Sequence, residues 1–172
     1  MSLMARRKWA FRASVLFSIL LAVLLIRGCW QMDRVEQQLY GNDLMISLVQ
    51  LEGLIGQQEE RNWDKPDLVT IQLGNVTDNL STLVLTKLPS KSENRMLQSL
   101  YVLFMRYPNR ELYLLPEVAQ EDRSANSGLR AELRKAGIGI GITMGGGIKE
   151  AKRRLEVLRE ALEERGLSRS RS

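Results

Sequence analysis

Val69-Thr-Ile-Gln-Leu73-Gly-Asn-Val76-Thr-Asp-Asn-Leu80-Ser-Thr-Leu83 spaces its apolar positions by four, three, four and three residues. That period, interrupted only by Gly74 beside the seam, predicts an amphipathic helix with one face turned to its neighbours. The flanking stretches read alike. From Leu44 to about Glu60, Met45, Leu48, Leu51 and Ile55 form one stripe. Leu44, Ile46, Val49 and Leu54 widen it until most of the circumference is apolar, and such a helix needs cover on several sides. Ser90 and Glu93 have the spacing of a capping box, followed by Leu97, Leu100, Phe104 and Tyr107 on one face. Pro66, Pro89, Pro108 and Pro116 fall between these segments, where helix boundaries belong. Short loops between three such helices predict antiparallel packing.

Toward the C-terminus the pattern weakens and then returns. Leu112 to Leu115 reads as a short extended piece, Pro116 suits the first turn of a helix, and Ser124 to Gly128 weakens whatever helix begins there. Ile148, Ala151, Leu155, Leu158 and Leu162 restore the three-four spacing in a helix from about Ile148 to Arg165. Glu150 with Arg154 and Arg159 with Glu163 are i,i+4 pairs on it, worth a few tenths of a kcal/mol each. Residues 166–172 read as a disordered tail.

Toward the N-terminus, Met32, Val35 and Leu39 carry a helical period back from a break expected at Gly41-Asn42-Asp43. Before them, Ala13 to Ile26 is uncharged between Arg12 and Arg27, behind the cationic leader Arg6-Arg7-Lys8. This run alone is shorter than the ~20 residues that cross a bilayer. Snorkelling of Arg12 and Arg27, with Trp9, Phe11 and Trp30 at the interfaces, extends it to a segment spanning roughly 33 Å as a helix. No small-residue cleavage site follows, so the reading is an uncleaved signal-anchor with its N-terminus in the cytoplasm and the bulk of the chain extracytoplasmic. The expected organisation is a basic leader (1–12), a single-pass transmembrane anchor (13–30), an extracytoplasmic helical domain (31–165) and the tail. The expected fold is all-α: that anchor, then a small antiparallel bundle of four to five helices with a glycine-rich connector.

Cys29 is the only cysteine, so no internal disulfide is available. Ile26-Arg27-Gly28-Cys29 resembles a bacterial lipobox, with Arg27 departing from it. Cys29 is therefore the single candidate for lipidation or for an intermolecular disulfide, beside its plain reading as a lone thiol.

The formal net charge of +5 lies in the first 30 residues, which hold five Lys/Arg and no Asp/Glu. The rest is neutral, so the electrostatic footprint of a nucleic-acid binder is missing from the domain. Within it, residues 31–122 carry 8 basic and 14 acidic side chains and residues 123–172 carry 12 and 6. Packing of the later helices on the earlier ones is the plain reading of that asymmetry; a basic face toward anionic polymer or headgroups is the other.

Six glycines between Gly137 and Gly147, with Ile138, Ile140 and Ile142 among them, precede the last helix. The run lacks the Gly-Lys-Ser/Thr ending of a phosphate loop and the strand context of a dinucleotide site. A helix-to-helix connector, a close-packed turn feeding its isoleucines into the core, and a close-approach surface for lipid or another helix are its readings. The chain has no His, and one Cys makes no zinc site. Glu59-Glu60, Glu121-Asp122 and Glu163-Glu164 are adjacent pairs that diverge by ~100° on a helix, so they read as solvated surface rather than acid/base dyads. No catalytic residue, cofactor or metal site is expected, and the chain reads as a non-enzyme. Asn75-Val-Thr77 and Asn79-Leu-Ser81 fit the N-glycosylation pattern, which chance also supplies.

The function expected is therefore a membrane-anchored interaction protein, a scaffold or accessory subunit of a membrane or envelope complex. Its expected partners are lipid along residues 9–30 and a protein partner or second copy, with no nucleic acid. The alternative is an extracytoplasmic sensory or ligand-binding bundle that signals through a partner.

Overall fold

In the computed structural model, which describes residues 3–86, 89–108, 120–141 and 147–169, the seam from Val69 to Leu83 is buried along its whole length. The described residues form six α-helices and one π-helical segment, with no strand. Helix α1 spans Leu3–Gln37, the π segment Gln38–Leu44, α2 Met45–Glu60, α3 Asp67–Leu85, α4 Lys91–Phe104, α5 Gln120–Lys135 and α6 Gly147–Arg169. The all-α expectation and the three central helices stand as read from the sequence.

The chain divides into two compact units, Met1–Val35 and Glu36–Ser172. The second is a closed ring of helices in which α2 packs on α3, α3 on α4, α4 on α6, α6 on α5, and α5 back on α2. Its core gathers Leu48, Leu51 and Ile55 of α2, Leu97, Leu100 and Phe104 of α4, Leu129 and Leu133 of α5, and Leu155 and Leu158 of α6. Each such aliphatic side chain, removed from water, contributes about 1.5–3 kcal/mol before conformational entropy is counted. The capping box at α4 is complete: Ser90 N–H donates to Glu93 Oε2 at 2.7 Å and Glu93 N–H to Ser90 Oγ at 3.4 Å.

The expected transmembrane helix is overturned. Among the described residues no helix is long and apolar enough to cross a membrane. The uncharged stretch of α1 ends at Arg12 and Arg27, and as a helix its fourteen residues cover about 21 Å against ~30 Å of hydrocarbon. A longer span has to carry at least one of the two guanidinium groups. The signal-anchor, single-pass and cell-membrane readings fall with it.

Two smaller expectations also change. No break occurs at Gly41-Asn42-Asp43; the helix runs on through the π segment instead. Tyr40 and Leu44 flank those residues and are both fully buried, so packing on either side outweighs the local preference for a turn. The carbonyls loosened by the wider coil find side-chain donors, Asn79 Nδ2 to the Asp43 carbonyl at 3.0 Å and Ser47 Oγ to the Leu44 carbonyl at 2.8 Å. Ser124 to Gly128 lies inside α5, and α6 continues past Arg165 to Arg169. The extended piece expected at Leu112 to Leu115 and the last three residues of the tail lie outside the described residues, as does the Cys29 side chain.

The start of the glycine run ends α5. Gly137 takes φ +77°, its N–H bonds the Arg134 carbonyl at 2.9 Å, and Ile138 N–H reaches back to the Leu133 carbonyl at 2.9 Å. This is a Schellman closure with a glycine at the left-handed position. Ile138 enters the core and Ile140 does not; Ile142 lies outside the described residues. The close-packed reading thus holds at Ile138 and not at Ile140, and residues 142–146 of the run lie outside the described residues.

Candidate functional site

The α2 stripe that reads as purely apolar in the sequence contains a carboxylate between Leu51 and Ile55. Glu52 is 1 % exposed. Burying an anion there is costly unless donors surround it, and three do. Oε1 accepts from Arg134 Nη1 at 2.8 Å and Arg130 Nε at 3.1 Å, and Oε2 accepts from the Ile140 N–H at 3.0 Å. Arg130 also donates through Nη1 to Glu59. Burial by itself would raise the Glu52 carboxyl, but the Ile140 N–H, Arg134 and Arg130 together hold it below the ordinary carboxylate value.

Glycine makes room for this cluster. A Cβ on Gly139 would lie 3.0 Å from Glu52 Oε2, and one on Gly56 would lie 2.6 Å from Arg130 Nη2. A Cβ on Gly53 would collide with the Ile140 side chain. One turn apart on α2, Gly53 and Gly56 thus form a bare strip against which α5 and the start of the glycine run close in. The surface beside them is a cleft of about 750 Å³, lined among others by Gln50, Gln57, Glu60, Gln72 and Arg134. Gln72 Nε2 is tied to the Ser47 carbonyl at 2.9 Å and to Gln50 Oε1 at 3.2 Å, which leaves Gln57 and Glu60 as exposed polar groups on the cleft.

A second charged cluster lies between the start and the end of the bundle. Lys152 of α6 forms ion pairs with Glu36, at the end of α1, and with Glu93 of α4 at 2.7 Å. Its Nζ stands 4.9 Å from the centroid of the Tyr40 ring. Burial alone would lower the Lys152 ammonium, and the two carboxylates more than reverse that. Tyr40 is fully buried, which pushes its phenol up to about 12, and its hydroxyl has no hydrogen-bond partner among the described residues.

These contacts resolve the charge asymmetry. Glu36, Glu52, Glu59 and Glu93 come from the acidic half; Arg130, Arg134 and Lys152 come from the basic half. The i,i+4 pairs of α6 are formed, Arg154 to Glu150 at 3.0 Å and Arg159 to Glu163 at 2.6 Å. Of the adjacent carboxylates, Glu59 binds Arg130, whereas Glu60 is exposed. Glu163 accepts from Ser99 at 2.8 Å as well as from Arg159. Glu59 and Glu163 are thus each engaged by donors on other side chains. The Glu52 oxygens are also taken, so that buried carboxylate serves as a staple rather than as a free proton acceptor. No group of His, Cys, Asp and Glu suited to a metal ion occurs among the described residues.

Glu52 and Lys152 were not singled out in the sequence. A lone acid inside an apolar stripe is a visible signal for Glu52. Nothing local marks Lys152, whose partners lie 116 and 59 positions away. Against known proteins, the chain matches no protein family, no curated protein and no solved structure.

Proposed function

We propose that this protein works by binding, as a helical scaffold or accessory subunit whose first helix is covered in an assembly. The observation behind this is the described surface of α1. Phe17, Leu20, Leu24, Leu25, Ile26 and Trp30 are all more than half exposed. A contiguous apolar surface of that extent marks an interaction site more readily than a free surface. Among the described residues, the buried core cluster is drawn from Tyr40 onward.

The test is the mass of the full chain in solution, by light scattering across a concentration series, beside the double variant Leu20→Asp, Leu24→Asp. Assembly that the variant abolishes while the helical content of the bundle persists supports the reading. A monomer at every concentration, with no protein co-purifying from the native host in a Leu20-dependent manner, overturns it. Flotation with phosphatidylcholine vesicles runs in parallel; capture there in place of a change in mass replaces protein cover by lipid.

A second reading, ligand reception, draws on the cleft beside Glu52. Its volume lies within the range of small-molecule sites, and glutamine amides, two arginines and Ile140 line it together. A thermal-shift screen with Gln57→Ala as the control variant tests it. A ligand whose stabilisation survives that substitution unchanged counts against the cleft.

A further inference from the structure

The π segment from Gln38 to Leu44 joins α1 to α2 without a break, and its geometry has a simple arithmetic. Each i→i+5 bond encloses one more residue than the i→i+4 bond of an α-helix. If the segment closed to α while α2 stayed in place, every residue before it would advance by one position. One position is about 100° of rotation and about 1.5 Å of rise. Gln37 would then occupy the place of Glu36 and, with Gly41 taken as the surplus residue of the coil, Gly41 the place of Tyr40.

Lys152 distinguishes these two settings. In the observed one it meets the Glu36 carboxylate and the Tyr40 ring. In the other it would meet a neutral amide and a residue without a side chain. The observed setting also carries a cost, because the buried Tyr40 hydroxyl finds no partner among the described residues, and an unsatisfied buried hydroxyl opposes the fold. Asn79 of α3 holds the Asp43 carbonyl at the α2 side, which ties that end of the segment to a neighbouring helix.

We propose that Gln38–Leu44 is a register switch with a π and an α setting, and that Lys152, through Glu36 and Tyr40, selects the π setting. This goes beyond the binding role and does not depend on it. Because Gln37 ends α1 and Gln38 begins the segment, the change of phase is read at the end of α1, at Glu36 and Gln37.

The experiment uses the full chain with Cys29→Ser and spin labels at Gln38 and Thr82, both exposed, read by pulsed dipolar spectroscopy. The starting protein should give one distance. Lys152→Met keeps the aliphatic stem and removes the charge; it should raise a second distance, displaced by several ångström, by about tenfold or more in population. Deleting Gly41 from the Lys152→Met chain removes the extra residue while leaving Glu36 and Tyr40 in phase, and should restore the single native distance. A single unchanged distance in Lys152→Met overturns the proposal. So does a second distance that survives the deletion, which would mean simple loosening, or a deleted chain that does not fold, which would mean that packing requires the π coil.

Discussion

Leu24 on α1 and Leu73 on α3 are the same residue in the same secondary structure, yet one is more than half exposed and the other is fully buried. Helix α1 has an apolar run without a polar face to set its orientation, whereas α3 alternates its seam with Thr, Asn and Asp. The difference shows that apolar content does not make a core. A core arises where the apolar positions recur at a period that neighbouring helices can match.

The sharpest test of that contrast is truncation on both sides. Leu73→Ala should lower the unfolding free energy of the bundle by about 3 kcal/mol, the usual cost of a buried leucine with its residual cavity. Leu24→Ala should stay within about 0.5 kcal/mol by the same urea titration. Equal losses would break the comparison and make α1 a part of the core.

Glu52 sharpens it from the polar side. Glu52→Ala leaves Arg134 and the Ile140 N–H without their acceptor and Arg130 with Glu59 alone, but those guanidiniums can reach water, so about 2 kcal/mol is the expected loss rather than the larger cost of a sealed pair. Acid should show the same group. Its folded carboxyl titrates below the ordinary 4.5, so its contribution is full above that value and fades as pH falls through the lower, folded one. Unfolding midpoints followed down through that window should drop more steeply for the parent than for Glu52→Gln.

Smaller effects belong to the helix ends. Gly137→Ala forces a side chain into the left-handed region and should cost about 1 kcal/mol. Ser90→Ala removes one half of the capping box and should cost about 1 kcal/mol as well, read as a shift in thermal midpoint. Neither change should alter the assembly mass, because both lie in the bundle.

What the chain discloses before folding is what depends on near neighbours. The Val69–Leu83 seam, the Ser90–Glu93 cap and the ion pairs of α6 are all set by spacings of three or four, and each is found where those spacings put it. The Glu52 cluster was hidden because its partners stand 78 to 88 positions away. The π segment departs from the local signal for a related reason. Gly41 argues locally for a stop, and only the burial of Tyr40 and Leu44 by other helices overrules it. At α1 the apolar run was given more length than its two flanking arginines leave it.

The order of helices around the ring carries a consequence for time. Helices α2, α3 and α4 follow one another along the chain as they do in space, so their contacts close small loops. The α5 side is sealed to α2 only when residues some eighty positions apart meet. Loop-closure entropy places that seal late in folding and early in its undoing. The amide hydrogen of Ile140, held by Glu52, should therefore exchange with solvent deuterium well before that of Val76, and a protease probing the native chain should open the molecule on the α5 side first.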